Sequence, residues 1–141
     1  MADITLSDAQ QRALLQAAQA ARLNAYAPYS NFRVGAAVLD EQGQVHAGCN
    51  VENAAYPQGV CAEAAALSAM VLGGGRQATA LLVVGEGSAA VTPCGGCRQK
   101  LREFAAPGTP VLVADSEGVR MWCTLDELLP HSFGPEHLKP A

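Results

Sequence analysis

The sequence predicts an α/β protein: a three-layer α/β/α sandwich built around a five-stranded mixed sheet. Two observations carry this expectation. Helix-like and strand-like patterns follow one another in the order α-β-β-α-β-α-β-β-α, which implies a sheet covered by helices on both faces. Half of the 141 residues are hydrophobic and 16% are charged, enough apolar material for one sizeable core. Residues 1–141 are expected to form one domain, with no internal repeat, low-complexity tract or linker.

Each element has a local reason. Ser7 opens a helix whose apolar face is Ala9, Ala13, Leu14, Ala17, Ala20, Ala21 and Leu23. Pro28 ends that pattern. Asn31 to Leu39 reads as a strand, Glu41-Gln42-Gly43-Gln44 as a hairpin turn, and Val45 to Val51 as the return strand. A loop with Pro57 and Gly59 follows. Val60 to Leu72 is rich in Ala, Leu and Met and reads as a helix that stops at Gly73-Gly74-Gly75. This glycine run is no phosphate loop, because no Gly-Lys-Ser/Thr follows it. Ala80 to Val84 is a short apolar run of buried-strand type, and Cys94 to Phe104 reads as a helix. Val111 to Ala114 and Val119 to Trp122 are two more strands around Ser116-Glu117-Gly118. Thr124 and Glu127 form the signature of a capping box that opens a short last helix. Beyond Pro130 the tail reads as loop.

Charge and composition exclude several functions. The net charge is −4, with Lys and Arg scattered and no basic stripe. That argues against a duplex-binding protein, only weakly against other partners, and favours a small polar metabolite as ligand. No apolar run is long enough to span a membrane. Met1 to Ser7 lacks the basic and then apolar segments of a secretory signal. A cytoplasmic protein is expected. Five cysteines, an odd number, make a disulfide framework an unsuitable reading.

Three of those cysteines, with one glutamate, carry the chemistry. Cys61-Ala62-Glu63 opens one helix and Pro93-Cys94-Gly95-Gly96-Cys97 opens another. Cys94 and Cys97, three apart, put both thiols on one side of a first helical turn. Soft thiolates suit zinc, and three protein ligands leave a fourth position open, as a catalytic zinc requires. Glu63, two residues from Cys61, can face that position without ligating, where a carboxylate moves protons for an activated water. Both helix N-termini would direct positive dipole ends at the thiolates. Taken alone, Cys-x-x-Cys could also be a redox pair or half of a closed structural zinc site, with Cys49 or His46 as a fourth ligand. Glu63 speaks against the closed site, which would not need it. Cys49 and Cys123 read as buried, inert thiols, and His46, His131 and His137 as surface residues.

Further stretches extend the pattern: Tyr26 to Ala37 (YAPYSNFRVGAA), Asn50 to Tyr56 (NVENAAY), Thr92 to Gln99 (TPCGGCRQ) and Glu127 to Phe133 (ELLPHSF). Together with Cys61-Ala62-Glu63 they make the chain resemble the small homotetrameric cytidine deaminases, from about Tyr26 to Phe133. The resemblance implies hydrolytic deamination of cytidine and 2′-deoxycytidine in pyrimidine salvage, with one zinc per chain held by Cys61, Cys94 and Cys97. It implies Glu63 as proton shuttle, Asn50 and Glu52 at the ribose 3′-hydroxyl, Phe32 against the pyrimidine, and the Ala62 N–H at the base carbonyl. It also implies that Ala54, Tyr56 and Phe133 reach a neighbouring subunit's site in a homotetramer.

Taken one by one, these residues have plainer readings. Phe32 could be ordinary core, Asn50 and Glu52 a solvated strand end, Phe133 a cover for the core edge, and Tyr26 and Tyr29 packing anchors. Arg98 could pair with an acidic side chain or face the site. Ala64 departs from the resemblance, since many members carry arginine there. Helix dipoles, backbone N–H groups and Arg98 are left to offset the thiolate charge, and a less acidified water is expected. Rival functions are deamination of a modified aminopyrimidine nucleoside such as blasticidin S, and a non-catalytic zinc-stabilised binding module. Editing of RNA or DNA is disfavoured by the acidic chain.

Overall fold

Ser7 caps α1 (Asp8–Arg22) through a reciprocal box with Gln10, its hydroxyl accepting from the Gln10 N–H and its own N–H donating to the Gln10 side chain. The computed structural model describes residues 5–139. The reading of Met1–Ser7 as no secretory signal depends on residues 1–4 and lies outside the described residues. Leu14 and Ala18 are the buried positions of α1, one helical turn apart.

A hairpin follows, β1 (Gly35–Asp40) and β2 (Val45–Cys49), turned at Gly43 in the left-handed region with φ 81°. Next come α2 (Ala62–Leu72), β3 (Ala78–Val84), α3 (Gly95–Phe104), β4 (Pro110–Asp115), β5 (Gly118–Thr124) and α4 (Leu125–Leu128). Two three-residue 3₁₀ turns, at Tyr56–Gln58 and Pro135–His137, interrupt the segments read as plain loop. The element order is the one expected. The strands form one five-stranded sheet in the order β2-β1-β3-β4-β5. Only β3 and β4 pair in parallel; the other neighbours are antiparallel, so the sheet is mixed.

The period of two decides what each face buries. Ala36, Val38, Leu81, Val83, Val111 and Val113 pack beneath α2 and α3, while Ala37, Leu39, Leu82, Val84, Leu112 and Ala114 pack with Leu14 and Ala18 of α1. The three central strands are therefore apolar on both sides, which is why they read as runs rather than alternations. Among the described residues no helix is long and apolar enough to cross a membrane.

Two expectations need correcting. The first strand starts at Gly35, four residues later than expected, because Asn50 ties the backbone before it: Val34 N–H donates to Asn50 Oδ1 at 2.8 Å and Asn50 Nδ2 donates to the Phe32 carbonyl at 2.8 Å. His46 is not a surface residue. Its ring is 16% exposed and Nε2 lies 2.8 Å from Oδ2 of the buried Asp40. Burial works against that carboxylate, but His46 and the N–H groups of Gln44 and Gln42 outweigh it and hold Asp40 below the usual carboxylate range.

Candidate active site

The topology brings two helix starts to one end of the strands. Gly35 on β1 stands opposite both Cys49 of β2 and Val84 of β3, so β2 and β3 end level with each other on either side of β1. The connection after β2 leads to α2, and the one after β3 leads to α3. Cys61 is the N-cap of α2 and Cys94 the N-cap of α3, with Cys97 in the first turn of α3. The loop before Cys61 is closed by a two-way backbone pair between Val51 and Val60, at 2.9 and 2.8 Å.

The three sulfurs lie within 4.8 Å of one another, and Cys61 Sγ is 3.9 Å from Cys94 Sγ. A tetrahedral zinc with Zn–S distances of about 2.3 Å needs sulfurs about 3.8 Å apart. The donor set therefore fits zinc in both spacing and softness. Neither Cys49 nor His46 joins the cluster. Cys49 stays on β2, and Cys123 is buried, its thiol donating to the Val111 carbonyl. All five cysteines are free thiols.

Burial pushes the Cys97 thiol far up, with the negative charge of Glu63 and of Cys61 adding to it. Burial likewise raises Cys61. Cys94 is the exception. Burial opposes ionisation there too, but the N–H and thiol of Cys97 and the thiol of Cys61 outweigh it and bring Cys94 below an ordinary cysteine. Glu63, in the first turn of α2, is only 5% exposed, and burial raises its carboxyl above the usual range. It stands outside the ligand cluster while its charge is felt by all three thiols.

Beside this centre stands the loop from Tyr26 to Val34. Phe32 is 45% exposed, so the core reading of its ring is wrong. The rings of Tyr26 and Tyr29 are also exposed, and Tyr26 anchors through its backbone, its N–H donating to Asn50 and its carbonyl accepting from Glu52. Asn50 and Glu52 are not a solvated face. Asn50 bridges Phe32 and Val34, as above. Glu52 accepts from the Tyr29 and Ser30 N–H groups at 2.9 and 3.2 Å and from the Ser30 hydroxyl. That hydroxyl and the two N–H groups hold Glu52 below the usual carboxylate range, against a smaller effect of burial.

The N–H of Ala62 belongs to the first turn of α2, where helix geometry supplies no intrahelical acceptor. Ala54 and Tyr56 sit on the exposed loop, with Tyr56 76% exposed and its ring edge-on to Tyr29. Phe133 is 55% exposed and stacks on His137, its centroid 4.9 Å from the imidazole. The chain thus brings Cys61, Cys94, Cys97, Glu63 and Ala62 together. It holds Phe32, Asn50 and Glu52 in one loop cluster, and leaves Ala54, Tyr56 and Phe133 facing outward.

Sequence reasoning missed Ser30, whose signal is a serine in a proline-opened turn two residues before an N–H it can accept from. It left Arg98 open. Among the described residues Arg98 pairs with no carboxylate: it donates to the carbonyls of Pro93 and Leu128 and to the Thr92 hydroxyl, bracing the segment that leads into Cys94.

Soft donors on three sides and a carboxylate kept out of the ligand set suit a metal that activates water, which places the chain among zinc hydrolases. The comparisons with known proteins narrow this. The family described as the cytidine and deoxycytidylate deaminase zinc-binding region matches residues 8–113. The cytidine deaminase of Sporosarcina psychrophila is 42% identical over 128 residues, covering 91% of this chain and 94% of that protein. That of Mycobacterium tuberculosis is 44% identical over 119 residues, 84% of this chain and 85% of the relative. The crystal structure of cytidine deaminase from Burkholderia pseudomallei superposes with a TM-score of 0.81 at 43% identity, over 91% of this chain and 100% of that one. The chain belongs to the cytidine and deoxycytidylate deaminase family, whose zinc-binding region its three cysteines fit.

Proposed function

We propose that residues 1–141 work as one catalytic domain that converts cytidine or 2′-deoxycytidine and water into uridine or 2′-deoxyuridine and ammonia. The observation that carries this reading is Glu63: a buried carboxyl, outside the ligand cluster, beside three gathered thiols. Cys61, Cys94 and Cys97 would hold the zinc. When bound there, zinc supplies the Lewis acidity that makes water nucleophilic at neutral pH.

The rest is done by the chain's own groups. As in zinc deaminases generally, a carboxylate shuttles protons. Glu63 takes a proton from the attacking water and gives it to N3 of the base. The water oxygen bonds to C4. Glu63 then relays the second proton to the amine, the C4–N bond breaks, and ammonia leaves. A carboxyl raised by burial suits this work, because it accepts a proton more readily than a solvated one.

Phe32 offers its exposed ring to the pyrimidine face, the Ala62 N–H meets the base carbonyl, and Asn50 and Glu52 take the ribose 3′-hydroxyl. Ala54, Tyr56 and Phe133 complete a neighbour's site in a homotetramer. Their exposure supports this. Five free thiols suit a reducing, cytoplasmic setting.

The test is an ultraviolet assay with cytidine on protein of measured zinc content and measured mass in solution. Cytidine absorbance should fall with ammonia released at one zinc per chain, from a tetramer. Glu63→Gln should keep its zinc and lose at least about 10³-fold in turnover. Turnover that survives Glu63→Gln refutes the mechanism. Zinc-loaded wild type that leaves cytidine untouched shifts the reading to a modified aminopyrimidine nucleoside.

A further inference from the structure

We propose that Ser30 is a positioning residue whose hydroxyl locks the sugar-binding carboxylate of Glu52 to the base-binding ring of Phe32. The inference rests on the reading of Glu52 and Phe32 as substrate partners given above. A hydroxyl donates once and accepts twice. The Ser30 hydroxyl donates to Glu52 Oε2 and accepts from the Phe32 N–H at 3.0 Å. The other carboxylate oxygen, Oε1, takes the N–H groups of Tyr29 and Ser30 itself. One side chain thereby fixes which way the carboxylate faces and where the backbone carrying Phe32 sits.

Ser30 and Glu52 line the same cavity of about 370 Å³, with Tyr29, Asn53, Tyr56 and Gly59. Without the hydroxyl, Oε1 keeps its two N–H partners but Oε2 loses its partner and the carboxylate can turn about the remaining contacts. The Phe32 N–H loses its acceptor at the same time. Ser30 is exposed, so its loss opens no core cavity.

The experiment measures kcat/KM for cytidine and for 3′-deoxycytidine in the zinc-loaded protein. Wild type should prefer cytidine. Ser30→Ala should lower that preference about tenfold, mainly through KM for cytidine, with zinc content and Tm unchanged. Ser30→Thr, which keeps the hydroxyl, should restore it. Glu52→Gln should lose the same preference, and the double variant should lose no more than either alone. Ser30→Ala that keeps the full preference overturns the role of Ser30 while leaving the sugar reading of Glu52 intact. A wild type that deaminates cytidine but ignores the 3′-hydroxyl overturns both. A wild type inactive on cytidine refutes the substrate assignment itself and, with it, this role.

Discussion

Gly48 lets the backbone of β2 lie directly against the first turns of α2. A Cβ built there would stand 2.4 Å from the Ala66 N and 2.7 Å from both the Ala62 carbonyl oxygen and the Ala65 Cβ. Ordinary contact begins at 3.4 Å, so Gly48→Ala forces α2 and β2 apart by about 1 Å. The obstacles are mostly helix backbone, which cannot swing aside as a long side chain can. Overpacking of this kind costs about 1–3 kcal/mol, or about 3–10 °C in Tm for a chain this size. The displaced turns carry Glu63 and follow Cys61. Misplacement of a catalytic group by about 1 Å costs about 10²-fold in rate.

Gly35 is the control. A Cβ there would meet the Ala18 carbonyl oxygen at 2.0 Å and the Arg22 N at 2.7 Å, so the clash is at least as severe, but on α1 and the opposite face of the sheet. Gly35→Ala should therefore cost comparable stability and spare most of the turnover per folded molecule. The assay pairs urea unfolding midpoints with kcat at saturating cytidine under conditions where each variant is folded. Gly48→Ala with wild-type kcat, or Gly35→Ala losing as much kcat as Gly48→Ala, would refute the coupling of α2 seating to chemistry.

Two further perturbations test other parts of the site and fold. In zinc-free protein, iodoacetamide should modify the exposed Cys94 first, because its thiol is held below an ordinary cysteine, and the buried Cys97 last of the three; zinc should protect all of them, as read by peptide mass spectrometry. The lowered carboxyl of Asp40 contributes stability that is complete above the ordinary carboxylate pKa of about 4 and is lost as pH falls through its own lower value. Asp40→Asn should cost about 2 kcal/mol at pH 7 and flatten the acid limb of the stability profile, and an unchanged limb would remove Asp40 from the account.

Sequence patterning reported most of the fold because burial and periodicity coincide. The central strands are apolar runs, Ser7 and Thr124 open the first and last helices with capping boxes, and Gly73 ends α2 where expected. The pattern failed where side chains substitute for backbone pairing. Residues 31–34 look like strand, but Asn50 takes the Phe32 carbonyl and the Val34 N–H, the Ser30 hydroxyl takes the Phe32 N–H, and Asn31 adopts φ 57°. The metal cluster was legible because Cys61, Cys94 and Cys97 sit at helix starts, where position in the sequence fixes position in space. The Asp40–His46 pair was not, since an acid beside a hairpin turn reads as solvated until α2 and the Gly73–Gly75 segment are laid over it. The hub at Ser30 was hidden for the same reason: its partner Glu52 is 22 residues away, and no local rule joins them.

The backbone pair between Val51 and Val60 has a use in engineering. Residues 53–59 hang from a closed neck, so their interior can be redrawn without pulling on Cys61, provided Glu52 and the neck are kept. Within that span lie Ala54 and Tyr56, the residues assigned here to a neighbour's pocket. In the tetramer proposed above, a library confined to 53–58 would therefore vary contacts between copies and substrate scope together, while the metal centre of each chain stays as its own two helices set it.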